Sequence, residues 1–136
     1  MKPEIKIRLP VPEDIAFIYA TWLNSYCHDS YLGKSVRSSI FHKEYKEVID
    51  RIIQESSALV ACHTDDENVL FGYLIYKDNT AHYSFVKEAF RRFGIAELLL
   101  KESNIALDQM VITHKTFYLA DMKQKFNFNP FLLFKK

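Results

Sequence analysis

The chain has little of what marks an unusual architecture. Its two cysteines, Cys27 and Cys62, stand at no metal or redox spacing, so both are expected as reduced thiols, one of them buried in a strand. Glycine is scarce, with three in the whole chain, and no internal repeat or linker is visible. No apolar run approaches the roughly 20 residues that a membrane-spanning helix needs. Signal-peptide and lipidation motifs are missing as well, which points to a soluble, cytoplasmic protein with no membrane partner. A formal charge of +1 gives no global pull on a polyanion, so nucleic acid is not an expected partner and only a local basic patch stays open.

What is present is apolar and aromatic. Hydrophobic residues make up 49% of the 136, among them eleven Phe and eight Tyr, which excludes disorder. That length suits a single domain over residues 1–136 with a core that needs no staples.

Taken in order, residues 5–9 alternate apolar and charged as a half-buried first strand, ended by Pro10 and Pro12. Pro12, Glu13 and Asp14 then open a helix, proline through its fixed φ and the acids through the positive end of the dipole. Its apolar stripe runs Ile15, Ile18, Tyr19, Trp22, Leu23, Tyr26. Residues 27–39 read as irregular. A second helix shows Phe41, Tyr45, Val48, Ile49, Ile52 and Ile53 on one face. Residues 58–63, 69–77 and 81–86 read as three strands joined by the turns at 65–68 and 78–80, and Gly72 suggests a bulge or close backbone approach. Helical spacing resumes at Gly94 with Ile95, Leu98 and Leu99, and Ile105 and Ala106 continue the stripe. Trp22, Ile49, Ile52, Leu98 and Leu99 are the expected core, packed on the sheet from its two sides.

Between the strand at 81–86 and the last helix lies Arg91-Arg92-Phe93-Gly94-Ile95-Ala96. A loop entering a helix there aims unpaired N–H groups and the dipole's positive end at one spot, an anion site. Gly94 would let the backbone approach a ligand, Ala96 keeps the first turn slim, and the arginines add charge. The stretch resembles the R/Q-x-x-G-x-G/A loop of the GCN5-related N-acetyltransferases, and Val86 stands five residues ahead of Arg91, the family's spacing. Glu88 replaces the usual proline, Arg92 a usual glycine, and Ala96 fills the final position as the pattern allows. The order of elements over residues 5–106 is also that of this family.

The resemblance implies an α+β (α/β) fold: a mixed, mostly antiparallel central sheet with helices on both faces. It implies acetyl-coenzyme A as cofactor and direct acetyl transfer to an amine, from a small molecule or a protein. By that resemblance Phe85 and Val86 hold the thioester through their backbone, and Arg91, Arg92, Phe93, Gly94, Ile95 and Ala96 bind the pyrophosphate. Residues 116–120 become the fifth strand, splayed from the fourth. His82, sharing a strand face with Ser84 by alternation, is a candidate base, and so is Glu88; Tyr118 is the candidate general acid. Each has a plainer reading as an edge histidine, a solvated carboxylate and a core tyrosine. The polar stretch from Tyr26 to Tyr31, with His28 and Asp29, falls where this fold shapes its acceptor pocket, unless it is a loop without chemistry.

Beyond residue 120 the match weakens. Residues 121–125 offer barely one helical turn, no tyrosine follows Tyr118, and residues 126–134 form an aromatic strand broken by Asn129-Pro130. That ending resembles compact members from bacteriophages and bacteria, a phage protein then working in the host cytoplasm. It keeps open a second reading, a catalytically inactive binding or structural module. A homodimer is left open too.

Overall fold

The computed structural model describes residues 4–116 and 127–134. Four strands form an antiparallel meander: β1 (Ile5–Arg8), β2 (Ser57–His63), β3 (Leu70–Lys77) and β4 (Thr80–Val86). Two short strands extend it, β5 (Val111–Ile112) parallel to β4 and β6 (Asn127–Phe128) parallel to β5. The resulting order, β1-β2-β3-β4-β5-β6, is mixed and mostly antiparallel, as expected.

Helices cover both faces. On one lie α1 (Asp14–Asp29) and α3 (Ser38–Glu55), whose Ile18, Trp22, Tyr26, Phe41, Ile49 and Ile52 pack on Val60, Cys62, Tyr73, Ile75 and Tyr83 of the strands. On the other lies α4 (Ile95–Ser103), whose Ile95 and Leu99 pack on Leu59, Ala61, Phe71, Leu74 and Ala81. The β strands alternate between these two cores because successive side chains leave opposite faces of the sheet. Arg8 at the end of β1 and Asp14 at the start of α1 form a buried ion pair at 2.7 Å, and Asp14 also accepts the Val11 N–H at 2.8 Å. The entry to α1 is thereby tied to the sheet.

Gly72 meets both readings offered for it. A Cβ there would lie 2.3 Å from the Phe85 carbonyl oxygen, too close for any side chain, so the glycine lets β3 and β4 approach. The β2–β3 register also slips beside it, between Ala61 and Cys62.

Several expectations need correction. Residues 27–39 are mostly helical: α1 continues to Asp29, and Ser30 caps a short α2 (Tyr31–Ser35) by accepting the Gly33 N–H at 3.0 Å. Polar composition there reflected an exposed surface and a cap, not a loop. Leu98 stays 36% exposed, while Leu99 is fully buried. The stripe of α4 is therefore Ile95–Leu99, one step of four, and Leu98 lies at its edge. The helix ends at Ser103 because Asn104 takes a left-handed φ of 62°, so Ile105 is buried from beyond the helix. The strand beside β4 is at Val111–Ile112; Thr116 lies in no regular element, and 117–120 fall outside the described residues, as do 121–126. The terminal strand is reduced to Asn127–Phe128, and Pro130 opens a 3₁₀ turn, Pro130–Phe134. Among the described residues no helix is long and apolar enough to cross a membrane.

Candidate functional site

The β4–β5 pairing is brief. Thr80 faces Val111 and Ala81 faces Ile112, and the described register ends there. From Tyr83 to Val86, no backbone pairing continues along the edge of β4 away from β3 among the described residues. Lys87 donates its N–H to the Phe71 carbonyl at 2.8 Å, on the β3 side. By the alternation of an antiparallel ladder, Phe85 also turns its backbone groups to β3, while Val86 turns its own to the open side. The Val86 carbonyl accepts Arg91 Nε at 3.0 Å, which leaves the Val86 N–H on that edge. Of the two residues expected to hold a thioester by backbone groups, Val86 is thus the one so oriented.

Past Val86 the chain makes a 3₁₀ turn, Glu88–Phe90, and Phe90 packs on Phe71 with ring centroids 4.4 Å apart. Phe93 and Ile95 anchor the far side of the loop in the α4 core. Between these anchors, Arg92 and Gly94 both adopt left-handed φ, 76° and 77°. For glycine this costs little; for Arg92 it is a strained conformation. Gly94 is the N-cap of α4, and its carbonyl accepts the Leu98 N–H at 3.0 Å. The N–H groups of Ile95, Ala96 and Glu97 have no carbonyl four residues back within the helix. A Cβ on Gly94 would meet nothing within 4 Å, so the space above this backbone is clear. Arg91, Arg92 and Ala96 are exposed around it. These features fit a phosphate-bearing cofactor: N–H donors, the positive end of α4, two guanidinium groups and room for close approach.

The proposed proton-transfer residues do not converge. His82 lies at the paired end of β4, Glu88 is exposed beyond its open end, and Tyr118 falls outside the described residues. Four strand residues, about 13 Å, separate His82 from Val86 alone.

Alternation also fails at His82. Ile75 faces Tyr83 but Tyr76 faces Ala81, which leaves His82 as the extra residue of a bulge. Ala81 accordingly joins the α4 core, while Tyr83 joins the opposite one. His82 consequently does not share a face with Ser84. It lines a hollow of about 80 Å³ with Arg51, Glu55, Ser56 and Lys77, roofed by Leu132 and Leu133. Burial first, then the Lys77 charge, push its imidazole down to about 4, against a pull from Glu55.

Two residues absent from the sequence reading, Thr113 and His114, complete this region together with Tyr45. Thr113 Oγ1 lies 2.9 Å from His82 Nδ1 and 2.9 Å from His114 Nδ1, and His114 Nε2 bonds the Tyr45 hydroxyl. Thr113 and His114 follow β5 directly, so they stand where it parts from β4. Aromatic rings surround His114: Tyr26 at 4.9 Å, Trp22 at 5.3 Å, Tyr45 at 5.7 Å and Tyr83 at 5.8 Å. Burial, then His82, hold it down to about 3. Tyr45 had shown itself only as part of an apolar stripe, and its partner lies 69 residues away. No local pattern carries that signal.

No family model matches the chain, and no curated protein does. Solved structures share its fold. The apo form of YjaB from Escherichia coli superposes with a TM-score of 0.53 at 16% identity, covering 73% of this chain and 63% of its own. A GCN5-related N-acetyltransferase from Rhodopseudomonas palustris gives 0.55 at 15% identity, over 76% and 65%. A possible acetyltransferase from Clostridium difficile 630 gives 0.52 at 19%, over 80% and 76%. The chain spans under two thirds of the length of the first two. With four antiparallel strands, a parallel fifth that parts from the fourth, and a helix starting where the fourth ends, the chain has the fold of the GCN5-related N-acetyltransferases.

Proposed function

We propose that the chain is an acetyl-CoA-dependent N-acetyltransferase acting by direct transfer to an amine. The observation that carries this is the start of α4. A left-handed Gly94, clear space above it and the free N–H groups of the first turn lie at the end of a strand whose neighbour has parted from it. The pyrophosphate would be held by the backbone from Arg92 to Ala96, with Arg91 and Arg92 contributing charge. Arg91 is also braced by its bond to the Val86 carbonyl. The Val86 N–H, on the open edge, would orient the acyl end. When bound, acetyl-CoA supplies a thioester whose C–S bond is exchanged for the C–N bond of an amide. The amine proton leaves to solvent or a base, and the thiolate departs with the coenzyme.

His82 stays neutral at neutral pH, and its lowered pKa makes it a weak proton acceptor for an ammonium group. Its contribution is therefore hydrogen bonding. The test is calorimetric titration of CoA and acetyl-CoA, followed by mass spectrometry of amines incubated with protein and acetyl-CoA. Heat and acetylated product are expected.

A second reading, a module that binds CoA without transferring from it, draws on the crowded end of the cleft. There Trp22 stacks on Tyr83 at 5.0 Å and His114 fills the space between them and Tyr45. Binding without any acetylated product or thiol release would favour it.

A further inference from the structure

Where β5 parts from β4, side chains from α3, β4 and the β5 exit form a hydrogen-bonded line: Tyr45, His114, Thr113, His82. The Thr113 hydroxyl has one hydrogen and cannot donate to both imidazoles, so the line has a direction set at its ends. Tyr45 has His114 as its partner among the described residues, and burial keeps the phenol protonated, so its O–H donates to His114 Nε2. The neutral His114 then carries its hydrogen on Nδ1 and donates to Thr113. Thr113 in turn has two acceptors within reach, His82 Nδ1 at 2.9 Å and the His82 carbonyl at 3.5 Å. The shorter bond prevails. A neutral His82 accepting at Nδ1 carries its hydrogen on Nε2, the nitrogen left over for the hollow.

The groups around that hollow are informative. Arg51 and Lys77 bring positive charge and Glu55 negative, while the buried Ser56 hydroxyl has no partner among the described residues. A ligand with both an oxygen acceptor and an amine suits such walls. We propose that Tyr45, His114 and Thr113 hold His82 as an Nε2–H donor to this hollow, where it takes a carbonyl or carboxylate oxygen of the amine substrate. His82 is the binding group; the other three are positioning residues. With about 13 Å of strand between His82 and Val86, this selects extended, peptide-like amines, whose carbonyl lies well away from the amino group, over plain alkylamines and polyamines. The substrate part rests on the acetyltransferase reading, whereas the tautomer stands without it.

The test uses the full chain at neutral pH and needs no CoA, so its failure is separable from failure of the acetyltransferase reading. Long-range nitrogen–proton NMR of the histidine rings reads each tautomer directly. His82 is expected as Nε2–H and His114 as Nδ1–H, each favoured by more than about tenfold. Thr113→Val should release His82 to a mixture of both forms, and Thr113→Ser should restore the original. If Thr113→Val does not fold, Tyr45→Phe, which removes the leading donor, should loosen the preference of His114. Acetate should shift the His82 Nε2 signal, and ethylammonium should not. An Nδ1–H form of His82, or a tautomer indifferent to both Thr113→Val and Tyr45→Phe, overturns the proposed line. A His82 signal unmoved by acetate overturns the ligand assignment.

Discussion

Replacing Ala96 by glutamate separates the phosphate site from the fold it sits on. Ala96 is exposed in the first turn of α4, in ordinary helical conformation, so the substitution introduces no backbone strain. A carboxylate at this position favours the free helix by about 0.3–1 kcal/mol through the dipole, offset by a few tenths in propensity. Stability without ligand should therefore barely change. Binding should not escape so lightly. A unit charge held about 4 Å from a phosphate costs about 1 kcal/mol in water and about 4 kcal/mol at an effective dielectric of 20. The site lies at the surface, between those limits, so CoA binding should weaken by at least about fivefold. Gly94→Glu is a poorer probe. It adds a similar charge but forces a side chain into φ of 77°, a cost of about 1–3 kcal/mol that mixes folding with binding. Calorimetric titration of CoA into wild type and Ala96→Glu, with thermal melts of both free proteins, measures the two effects apart. Equal affinities with equal melting temperatures would refute the assignment of the α4 start as the phosphate site.

Arg91→Ala should weaken CoA binding only several-fold and reduce its salt dependence, since it removes one screened, exposed charge; an unchanged salt slope in the same titration would contradict this. Leu99→Ala empties a fully buried site between α4 and the sheet and should cost about 2–5 kcal/mol in urea denaturation. A cost near zero would mean that α4 does not pack as described. Stability should also fall with acid. His82 and His114 have folded pKa values near 4 and 3, below about 6.5 in the unfolded chain, so below pH about 6.5 the unfolded state takes up protons that the folded state refuses. Their full contribution is present above that pH and lost on acidification. Between pH 6 and 5 the buried His114 should cost on the order of 1 kcal/mol, with a smaller addition from half-buried His82. Flat denaturation midpoints across that interval would contradict the burial of His114.

How much could be read from sequence follows the range of the forces involved. The meander β1–β4, the helices with clean apolar stripes and the Gly94 loop rest on local periodicity and turn chemistry, and all of these stand close to their expected positions. The fifth strand does not, because Val111 and Ile112 are only two residues long and owe their pairing to β4. Residues 116–120 carried stronger β-propensity, and propensity is a weak guide to so short an edge. His82 was assigned a face by alternation, which a bulge interrupts without any glycine or proline to announce it. Likewise the Tyr45–His114 bond joins residues that only the closed fold brings together. The cofactor loop was legible because it is one continuous segment; the region around His82 was not, because it is assembled from α3, β3, β4 and the β5 exit.

Thermal stabilisation by ligand puts the central claim to its plainest test. If the backbone from Arg92 to Ala96 holds the pyrophosphate, acetyl-CoA at about a hundred times its dissociation constant should add about 2.7 kcal/mol to the stability of the wild-type chain. The melting temperature should rise by several degrees, saturate with concentration, and rise less for Ala96→Glu. A melting temperature that ignores both acetyl-CoA and CoA up to millimolar concentration would mean that the loop binds neither. The fold would then stand without the function proposed for it.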